Sequence, residues 1–161
     1  MRKLSDPLVY SNLAYGIPAI ISYHNKLYTL ALLQSSVCMG STIYHLFDEN
    51  PNLRILDYLP ANYMALFIFK QWIQSYKIKN KIFYFSPFYA LLGIYIFNRG
   101  GWSPHCGGCK QKYHLYHTLW HLIGGTGFIG SIWFEKAQRL RFMNIMDKYR
   151  LKKRRRTNIN V

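Results

Sequence analysis

Four long stretches of this 161-residue sequence lack Asp, Glu, Lys and Arg altogether: 7–25, 27–47, 82–98 and 113–134. They contain 19, 21, 17 and 22 residues, close to the roughly 20 residues that an α-helix needs to cross a bilayer core of about 30 Å. A soluble domain with buried helices seldom has four such stretches in so short a chain. The missing charge therefore argues against a soluble domain and predicts membrane-spanning helices.

A fifth stretch, 55–73, contains Asp57 and Lys70, which lie near its opposite ends, where polar side chains can reach the membrane interface. Tyrosine and tryptophan near the ends of the stretches fit the aromatic belts of membrane proteins. The first stretch lacks a small-residue cleavage site, so we interpret it as a span rather than a signal peptide. We therefore predict an all-α fold, a polytopic transmembrane helical bundle of about five spans.

Acidic residues are scarce, six against 21 Lys and Arg, which gives a formal net charge of +15. Such an excess can indicate nucleic-acid binding, but ten of the basic residues lie after Phe134 and the charge-free stretches argue against a nucleic-acid partner. We predict a transmembrane bundle over 1–135 and a basic cytoplasmic tail over 136–161 that lies against anionic headgroups. The short connections 24–27, 48–54 and 74–81 have the polar composition of turns.

The distribution of basic residues predicts an orientation. With five spans the termini lie on opposite sides, with six Lys and Arg on the N-terminal side and 15 on the other. The positive-inside rule then places the C-terminus in the cytoplasm and the N-terminus in the lumen. We expect an integral membrane protein of the endoplasmic reticulum or Golgi type.

Polar residues inside the predicted spans collect on one side of the membrane. Ser41 and His45 end the second span, Asp57 opens the third, and the fifth begins with three histidines, His114, His117 and His121. The alternating direction of the spans puts all of them in one luminal layer. Ionisable residues within a membrane are costly, so this layer predicts a functional site.

Spacing indicates what the site could bind. His117 and His121 share one helix face and can approach one ion, and Ser41 lies one turn before His45. Three neutral imidazoles with one open position form a catalytic zinc site, where a bound water has a pKa of about 7. Asp57 is the one carboxylate within the predicted spans that could orient a ligand or accept a proton from that water.

The order of these motifs resembles the CREST superfamily of membrane hydrolases, which includes the alkaline ceramidases and the progestin and adipoQ receptors. Ser41 and His45 match the Ser-xxx-His motif, Asp57 in "ILDYLP" the second motif, and His117 and His121 the His-xxx-His motif of the last span. The resemblance implies a zinc ion bound by His45, His117 and His121, with Ser41 and Asp57 close by. It also implies hydrolysis of a lipid amide or ester bond.

The chain departs from that superfamily in length, since its members typically have seven spans. The stretch between Asp57 and His117 lacks two helices, which would shrink the lipid pocket or require a second chain, as in a homo-oligomer, to complete it. The predicted luminal position of the N-terminus resembles the topology of the ceramidase branch. We expect a zinc-dependent hydrolase of a ceramide-like lipid amide, with Asp57 as general base and Ser41 donating a hydrogen bond to the oxyanion.

Other interpretations stay open at this stage. The protein could be a non-catalytic receptor-like or structural membrane protein in which zinc only holds helices together, or a haem-binding membrane protein with histidine ligands. His114 could be a ligand or a rim residue. Cys106 and Cys109 in the loop 99–112 could form a disulfide or part of a zinc knuckle.

Overall fold

The structure, a computed structural model, describes residues 1–77, 86–100 and 110–159, and the regular elements in these ranges are all helical. The all-α prediction is therefore confirmed. Cys106 and Cys109 lie outside the described residues. In the described ranges, the 3-10 turn Pro51–Leu53 precedes the fourth of six α-helices. These are α1 (Pro7–Tyr10), α2 (Leu13–His24), α3 (Tyr28–Leu46), α4 (Arg54–Lys77), α5 (Ser86–Gly100) and α6 (Lys110–Ile159).

The helices follow the charge-free stretches except in the first one, which is divided between α1 and α2. The Asp6 side chain caps α1 by accepting a hydrogen bond of 2.9 Å from the amide of Leu8. The Asn12 side-chain amide donates to the carbonyl oxygens of Leu8 (2.9 Å) and Val9 (3.2 Å). These bonds occupy carbonyl groups that a continuing helix would use, so the chain turns at Ser11 and Asn12.

In the described ranges, no helix combines the length with the apolar character that a membrane span requires. The all-α class is confirmed, whereas the transmembrane character of the bundle stays a prediction.

The interior lies between α2, α3, α4 and α6. Helix α2 packs against α3 and α6, α3 packs against α4, and α5 packs along α6. One buried polar group joins three helices here, because the Gln34 side chain accepts a hydrogen bond from Ser22 (2.7 Å) and donates one to the carbonyl oxygen of Phe128 (3.2 Å). The surrounding apolar cluster contains Tyr15, Leu27, Leu30, Val37, Met64, Phe128 and Ile132.

Two glycines allow helices to approach at backbone distance. A Cβ atom on Gly40 of α3 would overlap the carbonyl oxygen of Leu56 in α4 and lie 2.8 Å from its carbonyl carbon. A Cβ atom on Gly125 of α6 would likewise overlap the carbonyl oxygen of Ala14 in α2. A hydrogen in place of the Cβ removes this clash. The first turn of α4 is thereby held against the last turns of α3.

The outer faces of the bundle are largely apolar. Large hydrophobic side chains are exposed on the five helices α2 to α6, among them Leu13, Ile17, Leu32, Leu66, Leu91 and Trp133. Apolar surface of this extent is typical of regions that contact a membrane or another protein.

Helix α6 extends far beyond the bundle. The predicted boundary at residue 135 falls inside it, and the helix continues without a break to Ile159. The described side chains from 139 to 151 are all exposed. The last helix of the bundle therefore continues into the basic tail without a break.

Candidate metal centre

Three histidines predicted to bind a metal come together inside the bundle. His45 lies in the last turn of α3, and His117 and His121 lie in the second and third turns of α6. Their ring centroids are 4.9 Å (His45–His117), 5.1 Å (His45–His121) and 4.8 Å (His117–His121) apart. One potential ligand atom from each lies within 4.8 Å of the others, and all three side chains are buried. The three histidines are therefore close enough to hold a metal ion.

The ring nitrogens fit such an ion in chemistry as well as in distance. His45 is 0 % exposed, and its Nε2 atom has no hydrogen-bond partner among the described residues. A buried polar atom left without a partner costs about 1–3 kcal/mol, which a metal bond would offset. Tetrahedral zinc with Zn–N bonds of about 2.0 Å places its ligand nitrogens about 3.3 Å apart. The potential ligand atoms lie within 4.8 Å of one another, so the three rings would have to draw closer together around an ion.

The second ring nitrogen, Nδ1, of two of the histidines is within hydrogen-bond distance of a neighbouring side chain. Nδ1 of His45 lies 2.9 Å from Oε1 of Glu49, and Nδ1 of His121 lies 2.7 Å from Oγ of Ser11. Because a carboxylate only accepts hydrogen bonds, we assign the proton of His45 to Nδ1, which leaves a lone pair on Nε2. This is the usual arrangement around a metal-binding imidazole.

The turn after α3 brings Glu49 back under His45. Asp48 and Glu49 both adopt left-handed backbone conformations, with φ of 61° and 54°. Non-glycine residues in this region cost of order 1–3 kcal/mol each and persist where other contacts hold them. Arg2 supplies these contacts, since its guanidinium binds Asp48 (3.0 Å) and Glu49 (2.5 Å).

Ser41 and Asp57 lie beside the histidines and are also buried. Ser41 lies close to the Asp57 carboxyl, and Asp57 is near enough to His45 for the two to interact electrostatically. The close contact of Gly40 with Leu56 explains this pairing, because it brings the first turn of α4 against α3 one residue before Ser41. The predicted grouping of Ser41, His45 and Asp57 is thus present.

His114 is not one of the three clustered histidines. Its side chain lies closer to the surface, with Nδ1 4.0 Å from Oδ1 of Asp6 at the start of α1. The structure therefore places His114 at the edge of the site. Three tyrosines contact the central rings instead: Tyr113 packs on His117, Tyr44 on His45 and Tyr15 on His121.

Sequence reasoning missed Glu49, Arg2 and Ser11. In the sequence, Glu49 falls in the predicted turn 48–54, Ser11 near the start of the first predicted span, and Arg2 among the six cations of the N-terminal side. A signal was present for Glu49, because it follows His45 by four residues, the spacing of neighbours on one helix face. No such signal marked Ser11 or Arg2, which depend on the break after α1 and on the turn after α3.

No protein-family model, curated protein or solved structure matches the chain. The resemblance to the CREST superfamily therefore rests on the five motif residues alone.

Proposed function

We propose that this protein is a zinc-dependent hydrolase that acts on a ceramide-like lipid amide at a membrane. The observation that carries the proposal is the buried group of three histidines with the buried residues Ser41 and Asp57 beside it. Asp57 is not one of the three potential ligands, and it is a buried acid beside the place where the metal would bind. Such an acid is expected where protons are transferred.

Each residue of the group has a distinct task. His45, His117 and His121 would hold the zinc ion, which would polarise a carbonyl group and make water easier to deprotonate at neutral pH. Asp57 accepts the proton of the attacking water and returns it to the departing amine. Ser41 orients Asp57 in the absence of substrate and donates its hydrogen bond to the oxyanion when the amide carbonyl is attacked. Glu49 and Ser11 hold His45 and His121 in place.

The surroundings support a lipid as the substrate. The site lies under apolar helices whose outer faces expose leucine, isoleucine and tryptophan, a surface suited to acyl chains. The long basic end of α6 suits the anionic face of a membrane. We propose a membrane location with the N-terminus luminal, and a second chain completing the lipid pocket if one chain is too small.

The ring contacts favour a single small ion over haem. The three imidazoles lie edge to face or tilted, with centroids 4.8–5.1 Å apart, so they surround a point rather than the two sides of a plane. Haem ligation would also have no need of Asp57.

Changing Asp57 to Asn tests the catalytic role. We expect the purified variant to retain about one zinc per chain, because Asp57 is not a ligand, and to lose about 10²–10⁴-fold in turnover, the usual contribution of a general base. Zinc content is measured by elemental analysis and turnover by release of sphingoid base from ceramide in mixed micelles. Asp147→Asn, which removes a carboxylate exposed on the far part of α6, serves as the matched control.

Two results would contradict the proposal. One is a wild-type protein that contains zinc but hydrolyses neither lipid amides nor lipid esters, which would indicate a structural metal. The other is an Asp57→Asn variant as active as Asp147→Asn.

A further inference from the structure

We propose that Glu49 and Arg2 are positioning residues of the metal centre, with Glu49 orienting the ligand His45 and Arg2 holding Glu49. The proposal rests on the metal site of the proposed function, but not on its hydrolytic activity. It makes the N-terminal segment and the turn after α3 parts of the site.

The contact between Glu49 and His45 has the features of a ligand support. Both side chains are buried, at 1 % and 0 % exposure, and Oε1 of Glu49 lies 2.9 Å from Nδ1 of His45. The hydrogen bond fixes the tautomer that presents Nε2 as a ligand, and that Nε2 is the buried atom without a partner among the described residues. A carboxylate behind the ring also stabilises the positive charge that metal binding draws onto the imidazole.

Arg2 determines which way Glu49 points. Its Nη2 atom binds Oε2 of Glu49 at 2.5 Å, which leaves Oε1 for the imidazole. Its Nε atom binds Asp48 at 3.0 Å, and its backbone amide donates to the carbonyl oxygen of Leu46 at 2.8 Å. Arg2 thus contacts three of the four residues that follow His45.

The backbone gives an independent reason to regard the turn as built for this contact. Asp48 and Glu49 are consecutive residues with positive φ, a conformation that costs energy for residues other than glycine. Glycine, asparagine and aspartate are the residues expected in such a conformation in a turn with no further role, so Glu49 is the unusual member of the pair. The left-handed pair instead turns the Glu49 side chain inward, where it meets His45 one turn back.

Cobalt binding to the full chain tests this inference. Wild type is expected to take up one Co²⁺ with the strong visible absorption of a four-coordinate site. Glu49→Gln should bind Co²⁺ and Zn²⁺ about 10- to 100-fold more weakly, the usual effect of losing a ligand's outer partner, with altered visible bands. The matched control is Glu135→Gln, whose carboxylate accepts a hydrogen bond from Gln71 at 2.9 Å away from the histidines. It should bind both metals as wild type does.

A charge-balanced variant guards against misfolding. Glu49→Gln removes one of the two carboxylates that pair with the largely buried guanidinium of Arg2 in the described part of the chain, which can destabilise the fold. The double variant Arg2→Met/Glu49→Gln removes both charges and should fold, with the same weakened metal affinity. Arg2→Met alone should weaken metal binding less, since Glu49 can still reach His45.

The outcomes separate this inference from the proposed function. Wild-type metal affinity in the double variant, or a loss of thermal stability in metal-free buffer with unchanged affinity, would overturn the positioning role and leave the hydrolase proposal intact. If the Glu49 variants bind metal more weakly and the wild type hydrolyses no lipid, the positioning role is supported and the hydrolase proposal is overturned. A wild type that binds neither metal overturns both.

Discussion

Replacing His121 by alanine should leave the purified protein with less than about one tenth of the zinc content of wild type, because a two-histidine site binds zinc far more weakly than a three-histidine site. The same change should abolish the rise in melting temperature on adding zinc. A ligand present at 1,000 times its Kd stabilises the fold by about 4 kcal/mol, so the wild-type shift should be several degrees. Elemental analysis and thermal unfolding with and without zinc measure the two effects.

His24→Ala is the matched control for this experiment. His24 is exposed at the end of α2, in contact with the ring of Tyr23 and not part of the clustered group. Its loss should change neither zinc content nor the thermal shift. A His121→Ala protein that still binds one zinc would show that the three histidines are not the ligands. If His45→Ala and His117→Ala lose zinc and the thermal shift as His121→Ala is expected to, all three histidines are assigned as ligands.

Replacing Gly40 by alanine should destabilise the bundle and reduce hydrolysis together. The new Cβ would meet the backbone carbonyl of Leu56, which cannot rotate away as a side chain can, so α3 and α4 must separate. Inserting atoms into a packed contact costs typically 1–3 kcal/mol, and a backbone clash belongs at the upper end. Separation would also move Asp57 away from Ser41. Chemical unfolding and lipid turnover of the surviving folded protein are the measurements.

Gly127→Ala provides the opposite control. A Cβ on Gly127 of α6 meets nothing within 4 Å, and a glycine in the middle of a helix is less stable than alanine by roughly 0.5–1 kcal/mol. Gly127→Ala should therefore stabilise the protein slightly. If Gly40→Ala and Gly127→Ala unfold at the same denaturant concentration, the close approach of α3 and α4 is wrong.

The prediction of the site depended on the four-residue spacing of its polar side chains. The pairs Ser41–His45 and His117–His121 are each four residues apart, so each pair shares a helix face whatever the neighbouring helices do. The alternation of helix direction then put the two pairs and Asp57 at the same end of the bundle. These arguments need only helices in the right places, and the helices α3, α4 and α6 are there.

The contacts around the ligands could not be predicted in the same way. Glu49 reaches His45 only because two successive residues take left-handed conformations, and Arg2 reaches Glu49 across 47 positions of sequence. Ser11 reaches His121 only because the first helix stops at Tyr10, through hydrogen bonds of Asp6 and Asn12 that composition does not reveal. Such features depend on individual dihedral angles and long-range contacts, not on hydropathy.

The placement of the three histidines on two distant helices also gives a bound metal a topological effect. An ion shared by His45 and His117 would join chain positions 72 residues apart and close a loop that contains α4 and α5. While it stays bound in the unfolded chain, a cross-link of that span lowers the entropy of the unfolded chain by an amount worth about 4 kcal/mol. The ion would thus form a reversible cross-link between α3 and α6.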